Sequence, residues 1–591
     1  MVPVAGGSPV CLIQDGFSNR DPCFRSDGAL GFLTDKPQSG VEPDSVSQVW
    51  LWKAGRTACL TSEGLGVSSF AFGGMRLVFL AERWPGVAAE KQREYNEDRK
   101  KNGPSVLVYR TIRVRHWDQW LPQTLPHLFV QDEDGLRLLT PNPGDKLRES
   151  TLCAAGNRAV VVAQALSPDD VTDQWLWAFD LDSGKREELG RMAGVSVSTP
   201  VLSEDGRRVL ACRHVRQPDR YGVRELVVYD IDAGTWAAIP TDLEDLEDPI
   251  GLSADGQHAF AIRFQRGLQQ VYRLGLADGS AEALTHQGSC DGVLGGDVLV
   301  GLWHDFLNPP QPFVLTEQGR QMRPIYPAPE LSLEVGSLSA VADDGVEVHA
   351  HILKPAGAAG PLPVLMLIHG GPIGHWSDGW HWRWNAAFLA SQGYIVAMPN
   401  PRGSLGYGKA FMEGIWGNSW GAQCYRDLMA FADVLVSRDD VDISRVAAVG
   451  GSFGGYMINW FGVMTRRFRC LISHASISEL GSFQGVTDYP GWWRYQQCVS
   501  VFTDPDEQGR YSPMRYLARW STPVMIIHGD KDYRCPVDQA LQLHTGLQLQ
   551  NVCSELVIFP DEGHWIKKPR NIIAWYGAVL EFLAAQMPDP D

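Results

Sequence analysis

A serine flanked by glycines follows an apolar run in the second half of this 591-residue chain. The run spans 446–449, and Ser452 lies within the segment Gly-Gly-Ser-Phe-Gly-Gly-Tyr at 450–456. A serine on a tight turn between a strand and a helix has backbone angles that most side chains resist, so glycines are needed two residues before and after it. Gly450 and Gly454 have this spacing. The segment therefore predicts a strand, a sharp turn and a helix, although 61 glycines also allow an ordinary glycine-rich turn.

Two later apolar runs end in residues that can activate this serine. A hydroxyl is a weak nucleophile at neutral pH, so it needs a base, and the base needs a carboxylate that holds its tautomer. The run 523–527 leads into Asp532, and the run 555–559 leads into His564. The chain order serine, aspartate, histidine is typical of an α/β-hydrolase, whose three residues lie at the carboxyl ends of parallel strands. We predict a catalytic triad of Ser452, Asp532 and His564.

Asp530 and His528 are the alternatives to Asp532 and His564. His528 stands where the apolar run ends, a position typical of the last strand residue or of a hydrogen-bonding loop residue. His564 follows Gly563 in a loop that can turn toward the nucleophile. We therefore favour His564 and Asp532 and leave the two alternatives open.

A second glycine-rich turn, upstream of the serine, predicts an oxyanion hole. The apolar run 363–368 continues into His369-Gly370-Gly371-Pro372. Glycines leave the backbone uncovered, so that an amide can face the carbonyl oxygen of a substrate. We predict the amides of Gly371 and Phe453 as the two donors. The alternative is simply a tight loop after a strand.

Together these segments resemble the catalytic domain of the prolyl oligopeptidase family of serine peptidases, from about residue 330 to the end of the chain. The motifs that carry the resemblance are HGGP at 369–372, GGSFGGY at 450–456, HGDKDYRCP at 528–536 and FPDEGHW at 559–565. The sequence around the serine looks most like the acylaminoacyl-peptidase and aminopeptidase branch, although Phe453 stands where tyrosine is commoner.

The resemblance implies hydrolysis of short peptides or small aminoacyl amides through an acyl-enzyme, without a cofactor or a metal. The glutamate pair with which dipeptidyl peptidases hold a free amino terminus is not recognisable, which favours release of single or N-acylated residues. A dipeptidyl peptidase remains an alternative, as does an esterase or small-amide hydrolase, because a triad does not choose between ester and amide. A binding protein with an inactive hydrolase domain is disfavoured by the complete triad.

Four further residues are candidate substrate contacts. Trp376 belongs to a group of tryptophans after the predicted oxyanion loop. Most of these will pack in the core or at a domain interface, but some can line an apolar pocket. Asp488 is a candidate anchor for a substrate amine, and Tyr456 and Arg534, close to the serine and the aspartate, complete the set.

The pattern of residues 329–591 predicts a doubly wound, mostly parallel sheet. Continuous apolar runs, typical of strands covered on both faces, alternate with segments of helical spacing. The predicted strands are 364–368, 394–398, 446–449, 470–473, 523–527 and 555–559, and the predicted helices are 422–437, 536–548 and 571–586. We expect an α/β-hydrolase domain in this part of the chain.

Residues 1–328 predict an all-β domain built from repeats. Strand pairs with acidic turns recur, and from residue 174 onward they are spaced about 45 to 50 residues apart, the size of one four-stranded propeller blade. Looser copies near Val2, Leu128 and Phe313 bring the count to seven. The family resemblance also implies a seven-bladed β-propeller. The first blade is expected to be incomplete, because the chain begins within its outer half.

A segment between two of these repeats has a different composition. The stretch 90–101 is strongly charged and predicts a solvated excursion between blade strands. Two positions are left open for His116-Trp117-Asp118, which come after this stretch: within the same excursion, or at the central cavity of the propeller. With a propeller preceding the hydrolase domain, we expect access to Ser452 to be restricted to short substrates.

The charge and composition of the chain disfavour several kinds of binding partner. A net charge of −17 disfavours nucleic acid, whose phosphates would be repelled, and no apolar stretch is long enough to span a bilayer. Eleven cysteines without C-x-x-C pairs, and an amino terminus without a signal-peptide pattern, favour a cytoplasmic protein with reduced thiols and no structural zinc. Assembly into a homo-oligomer is left open.

Overall fold

The computed structural model describes residues 10–37, 46–166, 171–316 and 318–589. In its amino-terminal half, the described residues form six four-stranded antiparallel sheets, with a helix and a small hairpin inserted in the second sheet. In chain order these elements are β1 Asn19–Phe24, β2 Leu30–Thr34, β3 Gln48–Lys53, β4 Arg56–Cys59, β5 Val67–Gly73, β6 Arg76–Arg83, α1 Gln92–Asn102, β7 Arg115–His116, β8 Gln119–Trp120, β9 Leu125–Asp132, β10 Gly135–Leu138, β11 Leu152–Ala155, β12 Arg158–Leu166, β13 Thr172–Asp180, β14 Arg186–Leu189, β15 Val195–Leu202, β16 Arg208–Gln217, β17 Arg220–Asp230, β18 Thr235–Ala238, β19 Leu246–Leu252, β20 His258–Gln265, β21 Leu268–Gly275, β22 Ala281–Ala283, β23 Ser289–Gly295, β24 Leu299–His304, β25 Gln311–Thr316 and β26 Gly319–Met322.

Consecutive sheets pack side by side in chain order, as blades of a propeller do. Each of five apolar clusters takes its residues from two neighbouring sheets, so a single blade cannot bury its apolar faces alone. The fifth and sixth sheets are joined by one parallel pair between Gln269 and Ser289.

Six of the seven predicted repeat copies correspond to these sheets. The seventh copy, near Val2, lies outside the described residues, and 10–18 contain no strand, so the part of the chain that the structure describes has six blades rather than seven. The insertion between β6 and β9 begins with the charged helix α1, whose side chains are mostly exposed, as the charged stretch predicts.

The carboxyl-terminal half is one eight-stranded sheet with helices between its strands. Its elements are β27 Leu333–Val341, β28 Glu347–Pro355, β29 Leu362–Ile368, α2 Ala386–Ser391, β30 Ile395–Asn400, α3 Lys409–Glu413, α4 Tyr425–Val436, β31 Val441–Gly451, α5 Phe453–Met464, β32 Cys470–His474, α6 Leu480–Val486, α7 Pro490–Gln497, α8 Pro505–Gln508, β33 Val524–Gly529, α9 Asp538–Leu549, β34 Ser554–Phe559 and α10 Pro569–Gln586. The strand order is β27-β28-β30-β29-β31-β32-β33-β34.

This sheet is parallel from β30 to β34, whereas β28 pairs antiparallel with both β27 and β30. Two large apolar clusters cover it, one with α4, α5 and α9 and the other with α2 and α10. The predicted doubly wound, mostly parallel sheet is thus confirmed. The predicted boundary after residue 328 lies in the segment between β26 and β27, and it stays a prediction. No helix within the described ranges is long and apolar enough to cross a bilayer.

Candidate active site

Ser452 lies on a sharp turn between β31 and α5. Its backbone angles are φ 59° and ψ −121°, a conformation that is strained for a residue with a side chain. The glycines around it allow close approach: a Cβ on Gly454 would lie 2.1 Å from the carbonyl oxygen of Ile368, and one on Gly450 would lie 2.5 Å from the backbone of Gly454. The Ser452 amide donates to the carbonyl of His474 on the adjacent strand β32 at 3.0 Å. The turn is therefore fixed by both neighbouring strands.

Asp532 and His564 are hydrogen-bonded to each other. His564 Nδ1 donates to Asp532 Oδ2 at 2.7 Å, and both side chains are buried. The other carboxylate oxygen of Asp532 accepts from the amides of Arg534 at 3.0 Å and Cys535 at 2.8 Å. Burial opposes ionisation of Asp532, but His564 and His528 outweigh it and hold the pKa of this carboxyl well below its usual range. Asp532 is therefore charged and fixes the orientation of His564.

Asp530 and His528, the alternatives to Asp532 and His564, lie in different environments. Asp530 is exposed to solvent. His528 lies within β33, fully buried, where its Nε2 donates to the Cys535 carbonyl at 2.6 Å and lies 3.3 Å from Asp532 Oδ2. His564 lines the cavity, whereas His528 does not.

Ser452 and His564 line one cavity of about 370 Å³ between the two halves of the chain. Most of its wall comes from the hydrolase half, including Trp376, whose indole N–H donates to the Leu367 carbonyl at 2.9 Å. The propeller half contributes the residues Gln269, Asp291 and His304. A substrate bound at Ser452 would thus contact both halves.

The predicted oxyanion loop lies against the serine. A Cβ on Gly370 would be 3.3 Å from the Cβ of Ser452, so this loop approaches Ser452 closely. Gly371 has a φ of 127°, which a side chain would strain. Phe453 is the first residue of α5, a position whose amide has no acceptor within its own helix. The oxyanion role of the two amides stays a prediction.

Tyr456 is not a cavity residue, which corrects its prediction as a substrate contact. It is fully buried, packs against Trp420 and Phe453, and donates its hydroxyl proton to the Tyr511 carbonyl at 3.0 Å. It lies one helical turn beyond Ser452, and its side chain enters the core beneath α5. Proximity to Ser452 in sequence therefore does not bring its side chain to the cavity.

Asp488 and Arg534 are already paired with each other, so Asp488 is not a free anchor for a substrate amine. Arg534 Nε donates to Asp488 Oδ1 at 2.6 Å, and Oδ2 accepts from the Trp117 amide at 2.7 Å. The Asp488 side chain has no exposed surface, and neither residue lines the cavity. The pair instead binds a segment of the propeller half.

That segment is the hairpin β7–β8, which brings Trp117 to the catalytic loops. The Trp117 ring lies 5.6 Å from the His564 ring and 4.9 Å from the Trp565 ring, between centroids. Its carbonyl accepts from the Tyr533 amide at 2.8 Å, and its φ is positive at 53°. From the sequence, a position of His116-Trp117-Asp118 at the central cavity is only one alternative. No pattern in the sequence indicates the contact of Trp117 with His564.

Replacement of Trp117 by alanine is expected to lower kcat about 10- to 100-fold, because His564 would lose the ring that packs against it, and small displacements of a catalytic base are costly. Trp120→Ala is the matched control, since Trp120 is in the same hairpin and contacts Tyr533 rather than His564. Steady-state kinetics with a chromogenic amide and a thermal melt of each variant measure the effect. Equal losses in the two variants would contradict the role of Trp117.

Five histidines, four of which line the cavity, have a pKa lowered by burial. The pKa values fall to about 4 for His351, His369 and His381 and to about 3 for His375 and His474. These side chains are neutral at working pH, whereas the same groups in the unfolded chain take up protons near pH 6.5.

The free energy of unfolding is therefore expected to fall as the pH drops below about 6.5, because the unfolded chain binds more protons than the folded protein. Each such histidine contributes to this loss until the pH reaches its pKa in the folded protein. Glu247, whose pKa burial raises to about 7, acts in the opposite direction. Burial also raises the pKa of Asp245, Asp248, Asp378 and Asp427, but aspartates in the unfolded chain take up protons only near pH 4. Thermal midpoints at pH 7 and pH 5 test this, and a midpoint that rises toward pH 5 would contradict it.

Comparisons with known proteins bear on the family and the fold of this chain. The model of the prolyl oligopeptidase family matches residues 380–589. A dipeptidyl-peptidase 5 from Arthroderma otae is 30% identical over 560 residues, covering 84% of this chain and 75% of the relative. Among solved structures, the acylaminoacyl peptidase of Pyrococcus horikoshii has a TM-score of 0.79 at 18% identity, covering 97% of this chain and 89% of that one.

A puromycin-hydrolyzing peptidase from Mycobacterium tuberculosis has a TM-score of 0.63 at 19% identity, covering 97% of this chain and 95% of that one. The structural likenesses show the fold, a β-propeller with an α/β-hydrolase domain. The sequence likeness extends over most of both chains. The chain belongs to the prolyl oligopeptidase family of serine peptidases.

Proposed function

We propose that Ser452, His564 and Asp532 form the catalytic triad of this peptidase, with the amides of Gly371 and Phe453 as its oxyanion hole. One observation carries the proposal: Ser452, on its strained turn, shares a cavity with a histidine that Asp532 holds at 2.7 Å. The strain at Ser452 supports a functional role, because such conformations persist where the surrounding structure enforces them.

The triad would act by acyl transfer. Ser452 Oγ attacks the scissile carbonyl and passes its proton to His564 Nε2, while the charged Asp532 stabilises the imidazolium through Nδ1–H. Amides of the oxyanion hole stabilise the negative charge that develops on the carbonyl oxygen. The intermediate collapses, the amine leaves with the proton from His564, and water then releases the acyl group by the same steps.

We propose short peptides as substrates, cleaved close to their amino terminus. The name of the 30% identical relative, a dipeptidyl-peptidase 5, supports dipeptide release. A second candidate is release of single or N-acylated residues. It is favoured because Asp291 is the only aspartate or glutamate among the described residues that line the cavity, so no carboxylate pair is available there for a free amine.

A panel of chromogenic amides tests the substrate class. Aminoacyl, N-acylaminoacyl and dipeptidyl amides should be compared at equal concentration, with an ester as control, and products of unlabelled peptides should be read by mass spectrometry. Dipeptide products would support the first candidate, and single or acylated residues the second. Hydrolysis of the ester alone would contradict a peptidase.

Cleavage is expected to fall steeply with substrate size, because the cavity at Ser452 is bounded by both halves of the chain. Access would then be limited by the separation of the two halves rather than by chemistry. A ladder of synthetic peptides from three to about fifty residues, with unfolded casein as the long substrate, measures this limit. Rapid internal cleavage of casein would show that the active site is open.

A further inference from the structure

Arg383 is the only arginine or lysine among the described residues that line the cavity. It precedes α2, and its guanidinium lies 4.6 Å from the centroid of the Trp565 ring, the residue that directly follows His564. Its backbone is fixed on both sides: the Arg383 amide donates to His381 Nδ1 at 3.2 Å, and the Arg383 carbonyl accepts from the Tyr576 hydroxyl at 3.0 Å. The cation therefore has a defined position beside the catalytic histidine.

No carboxylate within the described ranges forms an ion pair with Arg383. This distinguishes it from Arg402, which pairs with Asp427 at 2.6 Å, and from Arg534, which pairs with Asp488. Burial lowers the pKa of Arg383 to about 10. Removing a cation from water costs free energy unless an anion compensates its charge. An anionic ligand would therefore stabilise the guanidinium.

We propose that Arg383 binds a carboxylate of the peptide substrate. The inference rests on the proposed function, because it places that carboxylate in the cavity shared with Ser452 and His564. A guanidinium has five N–H donors in a planar fork that matches a carboxylate bidentately. Arg383 is thus a specificity-determining residue for substrates that carry a negative charge near the scissile bond.

A peptide offers two carboxylates, its carboxyl terminus and an acidic side chain. The geometry favours the carboxyl terminus of a short leaving group, because Arg383 stacks on Trp565, next to the histidine that protonates the leaving amine. Short peptides with a free carboxyl terminus would then be preferred over their carboxamides.

Two matched pairs of substrates distinguish binding of the carboxyl terminus from binding of an acidic side chain. The first pair is an alanine tripeptide as the free acid and as the carboxamide. The second is the same carboxamide with Glu or with Gln in place of one alanine. For each pair, the measured quantity is the ratio of kcat/KM for the charged substrate to that for the neutral one.

In the Arg383→Met variant, the free-acid ratio is expected to fall about 10- to 100-fold, the size of a lost hydrogen bond to a charged group. Arg383→Lys should restore part of the free-acid ratio, because lysine keeps the positive charge but lacks the planar fork of N–H donors. Arg320→Met is the matched control: Arg320 also stacks on a tryptophan, Trp303, at 4.2 Å, but lies outside the cavity. A fall in the Glu ratio alone would assign the carboxylate to a side chain.

An unchanged ratio for both pairs, or the same change in Arg320→Met, would overturn the proposal. Labelling of Ser452 by a neutral fluorophosphonate keeps this outcome apart from failure of the proposed function, because labelling needs the triad and no substrate carboxylate. Binding of the free acid and the carboxamide to Ser452→Ala, measured by calorimetry, gives a readout that does not depend on turnover. There the preference for the free acid should again disappear in Ser452→Ala/Arg383→Met.

Discussion

Replacement of Ser452 by alanine is expected to lower kcat about a millionfold, with the fold intact. The acyl-enzyme requires the Ser452 oxygen, and loss of a triad nucleophile in serine peptidases has an effect of about this size. An alanine methyl fits the same turn, so the thermal midpoint should change little. Initial rates on the best chromogenic amide, with the melt as a check of folding, measure the effect.

Ser377→Ala is the matched control for this variant. Ser377 lines the same cavity but lies on the loop between β29 and α2, away from the turn between β31 and α5. It should retain most of the activity. If Ser452→Ala kept activity within about tenfold of the native enzyme, a difference of only about 1.4 kcal/mol in barrier height, Ser452 would not be the nucleophile.

His564→Ala is expected to lose about as much activity as Ser452→Ala, because the three residues act as a unit and the serine proton then has no acceptor. His528→Ala should lose far less, since His528 contacts Asp532 and does not line the cavity. The comparison uses kcat and the thermal midpoint of both variants. A reversed order of the two losses would contradict the assignment of the base.

The carboxylate can be tested in the same way. Asp532→Asn should reduce kcat about ten-thousandfold, because an amide can hold the wrong tautomer of the histidine. Asp530→Asn should have little effect, since Asp530 is exposed. The two substitutions lie two residues apart in the same loop, so each serves as a control for the other.

The parallel strands of the hydrolase half were predictable because strands covered on both faces are continuously apolar. The run at 446–449 lies within β31, and the run at 523–527 overlaps β33. The antiparallel strands β27 and β28 were not predicted: β27 is mostly exposed, and β28, although buried, is interrupted by His349 and His351. Continuous apolarity thus identifies apolar buried strands and misses strands that are exposed or carry polar residues.

The proposed triad could be predicted from sequence because each member lies within five residues after the end of a strand, so that chain order and strand order suffice. Contacts that join distant segments leave no such pattern. The Trp117 amide and Asp488 are 371 residues apart in the chain, and their hydrogen bond is one of the contacts that occupy the Asp488 carboxylate. The prediction of Tyr456 as a substrate contact was wrong for a related reason. The face of helix α5 on which Tyr456 lies, and not its proximity to Ser452 in sequence, directs its side chain into the core.

The most direct test of the proposed chemistry is covalent labelling of the native enzyme with a fluorophosphonate, followed by peptide mapping. The probe reacts with an activated serine, so it reports the nucleophile without any assumption about the substrate. We expect one label per chain, on the peptide that contains Ser452, and no label in His564→Ala. Stoichiometric labelling of another serine, or none at all in the folded native enzyme, would contradict it.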